Sequence, residues 1–193
     1  MSTDLAATEI PDFMTTLTDA VRKKRDRPSA SNVVLALLQA EKIAKQQRIV
    51  YPLESLIGDW RLWFTAPRTH LQNGKASGRG WYIPQFAPAQ ISFFNQEELA
   101  ISNQIQLGSL LFKLTGSAKY LDKKSLLAFN FTKMQIMVFG RAIYNGKFFS
   151  KSVGNNLTEQ PIAKLPFFTF FLVTENFIAA RGRGGGIAIW VKK

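Results

Sequence analysis

The sequence predicts a mainly β protein, an antiparallel β-barrel preceded by an N-terminal two-helix segment. Three observations carry this. Before about residue 50, apolar residues recur at three- and four-residue spacing, the period of a helix with one buried stripe. After it they alternate with polar residues at a period of two, as on a pleated surface with one buried side. Turn residues punctuate this second part at short intervals without helical stretches between them, which argues for antiparallel connections. A sandwich and a barrel both satisfy the pattern. The barrel is favoured because a closed sheet of about eight strands leaves no edge and can hold one small apolar ligand. Fifteen of the sixteen phenylalanines follow residue 50. They fit a lined interior, and a packed sandwich core almost as well.

Residues 1–50 read as a helical extension and 51–193 as the barrel domain. Phe13, Met14, Leu17, Ala20 and Val21 form the stripe of a first helix. A basic run from Arg22 to Arg27 follows, then Pro28. Cations suit the negative end of a helix, and proline does not continue one. A second helix starts with Ser29 or Ser31 as its cap and runs to about Arg48. Its buried side holds Val33, Val34, Leu37, Ala40 and Ala44.

Among the strands, Trp60, Leu62 and Phe64 are expected on one face and Asp59, Arg61, Trp63 and Thr65 on the other. Leu99, Ile101, Ile105 and Leu107 alternate with polar or small neighbours, as do Leu127, Phe129 and Phe131. Leu110, Phe112 and Leu114 oppose Leu111, Lys113 and Thr115. Turns are expected at Gly108, Gly116, Asn145-Gly146, Gly154-Asn155-Asn156 and 182–186. Asn145-Gly146 is a hairpin signal because both residues tolerate positive φ. Residues 67–90 break the alternation and read as a long loop with a short strand near Trp81. A basic loop carrying Arg79, Trp81, Tyr82 and Phe86 is a candidate barrel mouth or membrane contact.

Composition removes several functions. The 193 residues include no cysteine, which excludes disulfides, thiolate metal sites, iron–sulfur clusters and a cysteine nucleophile. His70 is the single histidine, so a multi-histidine zinc site within one chain is excluded. Residues 1–12 carry three acids and no Lys or Arg, unlike import signals. No apolar run approaches the ~20 residues of a membrane span. The net charge is +12, which favours an anionic partner. Seventeen basic against seven acidic residues follow position 50, so most of that charge lies on the barrel.

Chemistry is sparse. In 181–186, Arg-Gly-Arg-Gly-Gly-Gly lacks the third glycine of a dinucleotide fingerprint, Ile187 standing there instead. No Gly-Lys-Ser/Thr and no Gly-x-Ser-x-Gly occurs. Glu97 and Glu98 are adjacent and would point to opposite faces of a strand, poor geometry for an acid–base pair. Asp59 and Glu175 are isolated acids, expected to pair with local cations. Gly58-Asp59-Trp60 opens the first strand. In a small barrel such an indole seals the narrow end, and an Arg from the last strands, Arg181 or Arg183, can stack on it for ~0.5–2 kcal/mol.

Two segments resemble a known family. Gly58-Asp59-Trp60-Arg61-Leu62-Trp63-Phe64-Thr65 resembles the first-strand motif of the plastid lipid-associated proteins, also called fibrillins or plastoglobulins. Residues 175–192 resemble their closing hairpin: Arg181-Gly182, a glycine turn, and an apolar strand ending in Lys192. Gly80-Trp81-Tyr82-Ile83-Pro84 with 89–93 looks like the cyanobacterial branch. The likeness covers about residues 53–192; the helical leader and the high charge have no counterpart in it.

The resemblance implies a lipocalin-like barrel and no catalytic residues. It implies association with thylakoids or lipid bodies, and non-covalent binding or stabilisation of a carotenoid, quinone or lipid in photosynthetic cells. Gly58, Trp60, Arg181 and Gly182 carry over as structural positions. The leader stands where a plant protein has its transit peptide. The expected location is therefore the cytoplasmic side of a cyanobacterial thylakoid, or the stromal side in a plastid.

The expected partner is an anionic thylakoid lipid surface or an acidic photosynthetic complex, and no nucleic acid, since the aromatics alternate like core residues. Two other functions are carried beside the apolar-ligand protein. One is a docking or assembly subunit of a photosynthetic complex. The other is a bilin-lyase-like enzyme on the same barrel type.

Overall fold

The computed structural model describes residues 12–22, 26–72, 75–95, 97–148 and 161–193. Helix α1 is Phe13–Val21 and α2 is Ala30–Gln46. Ser29 caps α2, its hydroxyl accepting from the Asn32 amide at 3.2 Å, which satisfies one of the free donors of the first turn. The expected turn at Gly154-Asn155-Asn156 lies outside the described residues, as do residues 23–25 of the basic run after α1.

The strands are β1 Gly58–Ala66, β2 His70–Gln72, β3 Lys75–Ser77, β4 Trp81–Tyr82, β5 Ala89–Asn95 and β6 Leu99–Leu107. They continue with β7 Leu110–Leu121, β8 Leu126–Val138, β9 Arg141–Lys147, β10 Phe167–Val173, β11 Phe177–Gly182 and β12 Ile187–Lys192. All pairings among them are antiparallel. The main sheet runs β10-β11-β12-β1-β5-β6-β7-β8-β9, and β8 also pairs β10, so the sheet returns on itself in a ring. The seam is short: residues 167–169 against 126–128, extended by Phe129 N–H to Pro166 O and Phe170 N–H to Ser125 O. The stretch 67–90 is not one loop. It holds the β2–β3 hairpin and β4, which pairs with β1.

Two cores result. Inside the ring, Trp60, Ile91, Phe93, Ile101, Leu127, Phe129, Phe170, Ile178 and Trp190 pack together. Phe129 stacks on Phe168 with centroids 5.1 Å apart, and Phe93 meets Phe170 edge-on at 5.9 Å. Outside it, α1 and α2 bury Leu17, Val33, Val34, Leu37 and Ala40 against Phe64, Phe171, Phe177 and Ile189.

The strict alternation expected of β1 fails for a physical reason. Trp60 and Leu62 belong to the inner core, but Phe64 belongs to the outer one. The register against β12 shifts between Leu62 and Phe64. An extra residue there reverses which side chains face inward. Trp63, expected on the solvent face, is buried, and its Nε1–H donates to Ala20 O of α1 at 2.7 Å. A second shift between Phe170 and Leu172 has the same effect on β10, placing Leu172 beside Phe171 on the helix side and Val173 back against the inner core.

Two expected turns are also corrected. Asn145-Gly146 lies within β9; the β8–β9 hairpin turns at Phe139-Gly140, with φ of +48° and +75°. Positive φ at both central residues is the geometry whose twist matches a hairpin, and here it overrides the Asn-Gly preference. Gly116 is no turn but lies inside β7, beside a register shift against β8. A Cβ at Gly116 would stand 1.8 Å from Asn130 O. Gly116→Ala is therefore expected to force the two strands apart and cost ~1–3 kcal/mol or more, read as a lowered urea midpoint. An unchanged midpoint would refute the close approach.

Candidate functional site

The site is built from the closed lower end of the ring, the closing hairpin, and the open end between them. At the lower end the chain bends in through Gly58, whose φ of +132° disfavours any side chain. Trp60 follows, fully buried, with its Nε1–H donating to Leu56 O at 2.7 Å. The cation over this indole is Lys192, its Nζ 5.5 Å from the ring centroid. It is not Arg181 or Arg183. The register explains this, since Trp60 is paired with Lys192 itself.

Arg181 has a different role. It projects from β11 to the outer side, where its Nε–H donates to Glu41 Oε1 of α2 at 2.7 Å and a terminal nitrogen donates to Glu41 Oε2. The other terminal nitrogen donates to Thr69 O and Gly185 O. Lys45 completes the group, 2.8 Å from Glu41 Oε1. Burial raises the Glu41 carboxyl, but the hydrogen bonds and charges of Arg181 and Lys45 outweigh it and hold the group below its usual value. Arg183 instead donates to Lys164 O. Gly182 ends β11, its N–H donating to Gly186 O across the turn. The Arg-Gly-rich segment is thus a hairpin turn tied to a helix.

The four loop candidates are not brought together. Phe86 is 82% exposed, and Arg79 and Trp81 are exposed as well. Tyr82 turns inward: its hydroxyl donates to Pro28 O at 2.9 Å, and its ring meets Phe64 edge-on at 5.2 Å. Burial pushes its phenol up. The Arg27 guanidinium lies 5.3 Å from the same ring and 4.8 Å from that of Trp63. Tyr82 therefore braces the link between the helices and is not a mouth residue.

A cleft of about 460 Å³ opens at the end of the ring opposite Trp60, bounded by Leu62, Phe168, Ala180, Ala188 and Trp190 with Arg68 at its edge. Four of these five apolar residues lie on β10–β12, and they continue the inner core. Alternation located the strands but not this cleft, because the register shifts decide which residues reach it. A second cleft, about 330 Å³, is bordered by Lys45, Arg48, Lys123 and Lys124.

His70, Glu97, Glu98 and Glu175 are exposed. Asp59 accepts from Ser92 Oγ at 2.6 Å and Gln90 Nε2 at 3.1 Å, and not from a cation as expected. Among the described residues no three His, Asp or Glu side chains are grouped for a metal ion, and no helix is long and apolar enough to cross a membrane. No known protein-family model matches the chain, and no curated protein matches it.

Proposed function

We propose that the ring is a lipocalin-like β-barrel that holds an apolar molecule (a carotenoid, quinone or lipid) non-covalently, without catalysis, at the surface of a photosynthetic membrane. The observation that carries the reading is the cleft between Leu62, Phe168, Ala180 and Trp190, an apolar recess at the end of a ring whose other end is plugged by Trp60. Such a recess, with few polar groups, suits a hydrocarbon ligand. The likeness of residues 58–65 and 175–192 to the plastid lipid-associated proteins supports the same reading. It supports a thylakoid location as well, with Gly58, Trp60, Arg181 and Gly182 as the structural positions of the family.

The natively purified protein should release pigment, quinone or lipid on solvent extraction, identified by mass analysis. Titration of stripped protein with a quinone should quench tryptophan emission, since Trp190 borders the recess. Ala188→Gln, which fills and polarises the recess, should weaken that binding at least tenfold while leaving the thermal midpoint within a few degrees. Protein that carries nothing and whose emission ignores quinone and carotenoid would overturn the proposal.

A second reading has one observation in its favour: the four cations around the cleft at the end of α2. In this reading the chain docks on an acidic photosynthetic complex. Its attachment would then vanish at moderate salt, where exposed charges are screened over ~8–10 Å.

A further inference from the structure

The wall of the ring does not stop at the rim. β5 reaches only to Ala89, opposite Ile105, and β10 covers β8 only from residue 126 to 128. From there outward β6, β7, β8 and β9 continue as a four-stranded overhang, to which β6 adds Gln106 and Leu107 beyond β5. Strand directions place it at the same end as the apolar cleft: β1 runs from Trp60 at the plugged end toward Ala66, and β6 runs alongside β5 from Leu99 to Leu107 in the same sense.

The register sorts its side chains by face, because residues paired across antiparallel strands share a side. Ile105, Phe112, Ile136 and Tyr144 form one cross-strand row, and Leu107, Leu110 and Val138 the next, which Arg141 ends. This face is the outward continuation of the inner wall, since Ile101 of the inner core lies on the same side of β6. On the other face, Gln104, Lys113, Gln135 and Asn145 form the row before Ile105, and Gln106, Leu111, Met137 and Ala142 the row between Ile105 and Leu107. The overhang carries apolar side chains open to solvent: Leu107 is 50% exposed, and Phe112 and Tyr144 are exposed too. At its tip the hairpin presents Phe139, 83% exposed, and Ile143, 65% exposed. Residues 99–121 and 126–148 contain five cations and no acid.

From this we infer that the overhang is the membrane-docking element: its apolar face and the Phe139 tip enter the interface of an anionic lipid bilayer, with Arg141 and Lys147 at the headgroups. The charge selects this occupant. A second copy would bring five more cations against the first, whereas anionic headgroups neutralise them. An apolar face that is continuous with the inner wall also gives a hydrocarbon ligand a dry path between bilayer and recess. The inference rests on the membrane-surface reading above and assigns that contact to particular residues.

The absence of cysteine allows one label at a time. Ser109→Cys, at the neighbouring β6–β7 turn, and Glu97→Cys, at the plugged end, would each carry an environment-sensitive fluorophore. With vesicles of phosphatidylcholine and phosphatidylglycerol, emission at position 109 should shift to the blue and that at 97 should not. Phe139→Ser combined with Ile143→Ser should weaken vesicle binding at least tenfold. Quinone quenching of the stripped protein should be unaffected by the pair, which separates docking from ligand binding and reports that the variant is folded. If the chain ignores these vesicles, the membrane reading and this inference fall together. If it binds them but the paired variant binds equally, or the label at 97 responds instead, only the inference falls. A dimer in light scattering that the paired variant disperses would give the face to a second copy and overturn it too.

Discussion

Replacing Arg181 by methionine should cost ~3–5 kcal/mol, because it leaves a buried carboxylate without its main partner. Glu41 is buried on α2 and receives two hydrogen bonds from this one guanidinium. Lys45 alone, largely exposed, remains. Urea denaturation would show the loss as a midpoint lower by about 1–5 M, with slopes of ~1–3 kcal/mol/M.

Acidification separates charge from packing. In the native protein the Glu41 carboxyl sits below its ordinary value. Its contribution is thus present above the unfolded pKa, ~4.3, and lost as pH falls through the folded one. In Arg181→Met the strongest influence holding the Glu41 carboxyl down is removed while its burial remains, so its pKa moves up. The variant's deficit should therefore shrink on acidification, and Glu41→Leu added to Arg181→Met should recover most of the stability at pH 7. A deficit independent of pH, or no rescue by the double change, would refute a charge-based clamp.

Trp60→Ala should be comparably severe. The side chain is fully buried at the plugged end and its Nε1–H is satisfied by Leu56 O. Removing it costs the transfer of the indole and leaves a cavity, ~3–5 kcal/mol together. Total stabilities run to only ~5–15 kcal/mol, so much of the protein should be insoluble or melt near growth temperature. Trp60→Phe should retain most of the packing and lose about 1–2 kcal/mol, the bond to Leu56 included. An alanine variant with a melting midpoint near that of the unsubstituted protein would mean that this end is not held by the indole.

Local patterning made much of the architecture readable. Val33, Val34, Leu37, Ala40 and Ala44 all lie in the outer core, Ser29 caps α2, and Gly108 turns β6 into β7. What alternation cannot register is a single inserted residue. The shift after Leu62 sends Phe64 to the helices, and nothing in a period of two announces it. The Phe139-Gly140 turn was hidden for another reason: a bulky residue at positive φ contradicts local preference and is imposed by the pairing of β8 with β9. Partners distant in sequence were equally out of reach. Arg181 and Glu41 are 140 positions apart, and alternation along β11 carries no sign of which α2 residue stands over it. The overhang was in view as the alternation of Leu110, Phe112 and Leu114, but its exposure follows only from where β5 and β10 stop.

The pairing of β1 with β12 has a bearing on biosynthesis. Trp60 lies opposite Lys192, and the Lys193 amide donates to Asp59 O. While the ribosome is still extending the chain through β10 and β11, β1 lacks this neighbour, and its indole lacks the Lys192 cation above it. Contacts so remote along the chain form slowly and late. The nascent polypeptide should thus emerge as a curled, incomplete ribbon with two sticky margins, a natural client for a chaperone until β12 arrives.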